Sequence, residues 1–164
     1  MRIGHGYDVH RFVRGRKLLL CGVEIDYDMG LLGHSDADVA LHALSDSILG
    51  ALALGDIGHL FPDSDPAYAG ADSAQLLARV VELARSHGYR LGNCDITIVA
   101  QEPKLAPYIS EMRRRVAELC GCGVDAVSVK ATTEEGLGFT GELLGIAAHS
   151  VCLMLPLEIS PVRL

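Results

Sequence analysis

Positive charge is scarce in this chain. Of its 164 residues, 14 are lysine or arginine against 21 aspartates and glutamates, a formal net charge of −7. With a pI near 5.4 it carries no broad basic field, which excludes phosphate-backbone binding to nucleic acid and disfavours an anionic membrane surface. Cysteine is limited to five residues with no C-x-x-C spacing. An odd count argues against a disulfide framework and for a reducing, cytoplasmic setting. Long apolar runs are also missing. The longest, residues 143–157, is broken by Gly145, His149 and Pro156 and falls short of the ~18 residues of a membrane span. Residues 1–10 carry Arg2, His5, Asp8 and His10 where a signal peptide would be apolar. No linker, repeat or low-complexity tract interrupts the chain, so residues 1–164 are expected to form one domain.

What is present is an alternation of strand and helix signals. Residues 3–10 and 18–25 read as extended, 26–35 as loop. Residues 36–54 read as a largely buried helix, with Ser35 as its N-cap and Asp36 and Asp38 in its first turn. An Asp-rich loop leads to a second helix over 73–87, stopped by Gly88. Residues 95–100 form a strand, 107–120 a third helix, and 126–131 and 145–155 two further strands. This order predicts an α/β (α+β) sandwich: a mixed four-stranded sheet with helices on one face.

Three constellations carry chemistry. Asp8 and His10 are two apart on a strand and share a face; with His42 from the helix they offer one carboxylate and two imidazoles, a set suited to a catalytic zinc with an open position. Asp38 and Asp46, one turn either side of His42, are candidates for holding its other ring nitrogen. The competing reading makes His42 a core histidine. Residues 33–36 (Gly33-His34-Ser35-Asp36) head the helix and offer N–H groups, an imidazole and a hydroxyl to a phosphate, or simply a cap. Residues 130–135 (Lys130-Ala131-Thr132-Thr133-Glu134-Glu135) place two hydroxyls and a carboxylate after a strand, suited to phosphate oxygens and a shared cation, or to a polar strand exit.

Two patterns lead elsewhere. Residues 136–141 satisfy G-x-G-x-x-G, but a strand follows rather than the helix of a dinucleotide fold. Cys120-Gly121-Cys122 reads as a helix end. His59, His87 and His149 read as structural, and Arg113-Arg114-Arg115 as a solvated helix face.

Four blocks in order resemble the 2-C-methyl-D-erythritol 2,4-cyclodiphosphate synthase family: Gly4-His5-Gly6-Tyr7-Asp8-Val9-His10, then His34-Ser35-Asp36-Ala37-Asp38-Val39-Ala40-Leu41-His42, then Gly55-Asp56-Ile57-Gly58-His59-Leu60-Phe61-Pro62-Asp63, and Lys130 through Gly141. The resemblance implies a homotrimer with its sheets facing the threefold axis and active sites between subunits. It implies a reaction: the 2-phosphate of 4-diphosphocytidyl-2-C-methyl-D-erythritol 2-phosphate attacks the β-phosphorus, CMP leaves and a cyclic diphosphate forms, a lyase-type step. It also implies roles. Asp8, His10 and His42 hold Zn2+ or another divalent transition metal, and Glu135 helps hold Mg2+ or Mn2+ on the diphosphate. His34 and Thr133 stabilise the transition state. Ser35, Asp56, Ile57, Gly58, Phe61, Asp63, Asp65, Thr132 and Phe139 meet the substrate. Ala100, Pro103, Lys104, Leu105, Ala106 and Ala131 form the cytidine pocket. Where the family commonly has Arg and Glu, this chain has Glu142 and Leu144. In the family these positions lie near an axial cavity, so weak or absent binding of an isoprenoid diphosphate is expected there.

Overall fold

The computed structural model describes residues 1–62 and 70–157. Its main sheet has five strands: β1 (Arg2–Arg14), β4 (Met29–Leu31), β5 (Tyr89–Val99), β6 (Val127–Thr132) and β7 (Gly145–Pro156), in the order β4-β1-β7-β5-β6. Only the β5–β6 pair is parallel. A separate hairpin joins β2 (Leu18–Leu20) to β3 (Val23–Ile25). The helices are α1 (Val39–Leu52), α2 (Ile57–Leu60), α3 (Ser73–Ser86), α4 (Ile109–Cys120) and α5 (Gly138–Gly141). The expected layering holds, with α1, α3 and α4 against the sheet. The sheet has five strands rather than four because Met29–Leu31, inside the expected loop, pairs with Phe12–Arg14.

Helix α1 lies on β1 and β7. The contact is so close that a Cβ on Gly4 would fall 1.7 Å from the Ser47 carbonyl oxygen, and one on Gly6 1.9 Å from that of Ala43. Glycine is required at both places for helix and strand backbones to touch. Alternation along β1 then sends Ile3, His5, Tyr7 and Val9 to the opposite face, where all four are exposed and Ile3 keeps 72% of its surface.

Ser35 does not cap α1. Asp38 does: its carboxylate, fully buried, accepts from Leu41 N (3.0 Å), Cys21 N (3.0 Å) and Gly22 N (2.6 Å). One side chain thus closes the helix and pins the β2–β3 turn. The Arg113–Arg115 run is not wholly solvated either, since Arg113 donates to the carbonyls of Val127 (2.8 Å) and Val124 (3.0 Å) and fixes the start of β6. The glycine-rich run folds partly into α5 and leads into β7, as its rejection as a dinucleotide loop required. Cys120 ends α4 beside the left-handed Gly121. All five cysteines are free. No helix among the described residues is long and apolar enough to cross a membrane.

Candidate metal centre and two clefts

Strand β1 presents Asp8 and His10 on the side facing α1, and α1 presents His42. Asp8 Oδ2 lies 3.0 Å from His10 Nε2 and 3.0 Å from His42 Nδ1, and the two ring nitrogens are 3.2 Å apart. The outer nitrogens fix the tautomers. His10 Nδ1 is 2.8 Å from the Leu32 carbonyl, which can only accept, so that nitrogen carries the proton. His42 Nε2 meets Ser73 Oγ at 2.9 Å and Ser35 Oγ at 3.2 Å; the Ser73 hydroxyl is itself committed to Asp36, and Ser35 Oγ accepts from Ala37 N. With Nε2 donating, His42 Nδ1 is a bare lone pair.

Three lone-pair atoms therefore converge, and neutral partners cannot satisfy all three contacts. A cation or a proton must sit among them. The group is the one set of three or more metal-ligating side chains that converge in this way among the described residues. One carboxylate and two imidazoles fit a zinc-like ion. The closeness of these groups also shifts their titration. Burial works to raise Asp8, but hydrogen bonds and charge from His10 and His42 prevail and hold its carboxyl well below the usual range. Burial works to lower His10, and Asp8 overcomes it, so its pKa is raised.

Neither Asp38 nor Asp46 holds His42, contrary to expectation. Asp38 is consumed by backbone donors, and Asp46 accepts from Ile57 N at 2.8 Å. The hydroxyl of Ser73 has the role instead, which no spacing in the sequence could reveal across 31 residues.

The trio opens into a cleft of about 310 Å3 shared with His34, Ser35, Ile57, Gly58 and Phe61. Asp46 lines it too, beside His42 though not bonded to it, and burial raises the Asp46 pKa; Leu76 also lines it, without having been expected there. Asp56 caps α2, accepting from His59 N at 3.0 Å. Asp63 and Asp65 lie outside the described residues.

A second cleft of about 330 Å3 is lined by Ala100, Gln101, Pro103, Lys104, Leu105, Ala106, Ala131, Thr132 and Thr133. Glu135 stands beside it, accepting from Thr133 Oγ1 at 3.0 Å. Gln101, which the sequence did not single out, accepts from Gly136 N at 3.2 Å and ties the loop to β5. Phe139 on α5 is exposed and lines neither cleft. No residue belongs to both clefts. Asp8 and His10 stand on β1, while Thr132 ends β6 and Thr133 follows it, with β7 and β5 between the two strands, about 14 Å at the usual strand spacing.

The matches to known proteins agree with this arrangement. Residues 1–155 match the YgbB family model. The 2-C-methyl-D-erythritol 2,4-cyclodiphosphate synthase of Trichlorobacter lovleyi is 64% identical over 156 residues, 95% of this chain and 99% of that protein. A solved structure of 2C-methyl-D-erythritol-2,4-cyclodiphosphate synthase in its CDP-bound form superposes with a TM-score of 0.87 at 37% identity, over 94% of this chain and all (100%) of the other. The bifunctional IspDF of Campylobacter jejuni gives a TM-score of 0.90 at 44% identity, over 93% of this chain but 42% of its own length. With its fold and nearly its whole length matched, the chain belongs to the YgbB family, the family of the 2-C-methyl-D-erythritol 2,4-cyclodiphosphate synthases.

Proposed function

We propose that this protein converts 4-diphosphocytidyl-2-C-methyl-D-erythritol 2-phosphate to 2-C-methyl-D-erythritol 2,4-cyclodiphosphate and CMP, as a phosphorus–oxygen lyase of non-mevalonate isoprenoid precursor synthesis in the cytoplasm. The observation that carries the reading is the convergence of Asp8, His10 and His42 in one cleft with His34, Ser35, Ile57, Gly58 and Phe61. Asp8, His10 and His42 would hold Zn2+ or a similar ion, and Glu135 would help hold Mg2+ or Mn2+. When bound, such ions neutralise phosphate charge and so lessen the repulsion between nucleophile and target.

The residues of the chain then have positional work. His34 and Ser35 hold the attacking 2-phosphate. Ile57, Gly58 and Phe61, with Asp56, Asp63 and Asp65, border the methylerythritol carbons, and Phe139 meets the substrate from α5. Thr132 and Thr133 donate to the diphosphate, and Ala100, Pro103, Lys104, Leu105, Ala106 and Ala131 enclose cytidine. No general base is needed, because the nucleophile is an ionised phosphate. Phosphoryl transfer asks mainly for alignment and charge neutralisation.

Two clefts without a common residue support a homotrimer in which the nucleotide cleft of one subunit completes the metal cleft of the next. The uncovered face of β1 and β7, with Ile3, Tyr7, Val9 and Val151 exposed, supports an assembly that covers it.

A phosphorus NMR time course with the cytidine diphosphate substrate, zinc and magnesium tests the reading. The expected result is CMP and a cyclic diphosphate without orthophosphate. Orthophosphate would instead mark a zinc phosphohydrolase, and an unchanged spectrum from a zinc-loaded sample would mark a binding protein.

A further inference from the structure

His149, which reads as structural from the sequence, has partners on the neighbouring strand. It stands on β7 directly opposite Tyr7 of β1, so His5 is its diagonal neighbour on the uncovered face of the sheet. His5 Nε2 lies 3.3 Å from His149 Nδ1, with ring centroids 5.6 Å apart and planes inclined by 32°. The Tyr7 ring packs on His149 at 4.7 Å and restricts its rotation.

The 3.3 Å separation is informative. It admits a hydrogen bond between the two rings, with one nitrogen donating and the other accepting, and it also admits a shared ion. Two imidazole nitrogens on one tetrahedral zinc, each about 2.05 Å from the ion, stand about 3.3–3.4 Å apart. The same kind of pair, His10 Nε2 and His42 Nδ1, is 3.2 Å apart in the centre described above. Both residues of the second pair sit on central strands held by ten consecutive paired positions, so little conformational freedom is lost on binding. Both rings are exposed on the single chain.

We propose that His5 and His149 form a second transition-metal site, a two-imidazole clamp for Zn2+, Ni2+ or Cu2+ on the uncovered sheet face. Water completes the coordination, or the same pair from neighbouring copies where that face is shared. No residue of either cleft takes part, so the clamp goes beyond the cyclase reading and stands without it.

The test compares the zinc content of wild type, H5A, H149A, H149Q and H87A after dialysis against buffered zinc, with circular dichroism confirming the fold of each. Wild type and H87A should hold about one zinc per chain more than H5A, H149A and H149Q, which keep the zinc of the first centre. A difference of about one zinc per three chains also supports the clamp, as an ion shared around a threefold axis. Equal zinc in all five proteins overturns it. CMP formation by the same samples separates the two claims. Wild type and all four variants should turn over alike, and an inactive wild type would defeat the cyclase reading while leaving the zinc difference intact.

Discussion

His42 and Ser73 are joined by a 2.9 Å contact between Nε2 and Oγ, and the Ser73 hydroxyl continues to Asp36. The relay fixes which nitrogen of His42 faces Asp8. Ser73→Ala should therefore weaken zinc binding by about 10- to 100-fold without unfolding the protein, measured by competition with a chromogenic chelator. His42→Ala should lose the ion altogether, and retention of this zinc would contradict the ligand assignment.

Thr133 donates to Glu135 at 3.0 Å and borders the nucleotide cleft. If its hydroxyl steadies the diphosphate as charge develops, Thr133→Ala should lower kcat by about 100-fold with KM little changed. Thr133→Ser should restore most of the rate. A binding module would be indifferent to either change, so steady-state kinetics on the two variants decide the matter.

Asp38 serves three backbone donors from a fully buried position. Asp38→Ala leaves those N–H groups without a partner and should cost about 4 kcal/mol. Asp38→Asn keeps one acceptor oxygen and should cost about half as much. Urea unfolding would show the midpoint falling at constant slope.

Burial and neighbouring thiols push Cys94 up to about 12, and burial raises Cys21, Cys120 and Cys152 as well. Cys122 is only partly buried, and its upward shift comes from burial and then from Asp125. Because the thiolate is the reactive form, alkylation at mildly alkaline pH should label Cys122 slowly and the other four only after unfolding. Mass spectrometry of timed samples reads this directly.

Much of this was legible in the sequence because local rules sufficed. Two-residue spacing put Asp8 and His10 on one face, and the apolar pattern of α1 told of its burial. What escaped were relationships set by packing. The Asp38 cap looked like an ordinary first-turn acid because its other partners, Cys21 and Gly22, come from a hairpin 16 or 17 residues earlier. Strand β4 is three residues long and carries no periodic signal of its own. The partners of His42 and His149 lie on other elements, where one-dimensional spacing has nothing to say.

The glycines at positions 4 and 6 bear on which ion the first centre accepts. Asp8 and His10 are carried by the same strand that these glycines let down onto α1, while His42 rides on α1 itself. The distance between the backbones that carry the ligands is thus set by direct contact. Zinc asks for bonds of about 2.0–2.1 Å, calcium for about 2.3–2.6 Å and more oxygens. Bulk added at position 4 or 6 would lift the strand from the helix and spread the ligands toward the longer bonds, so the short ones depend on two residues that have no side chain.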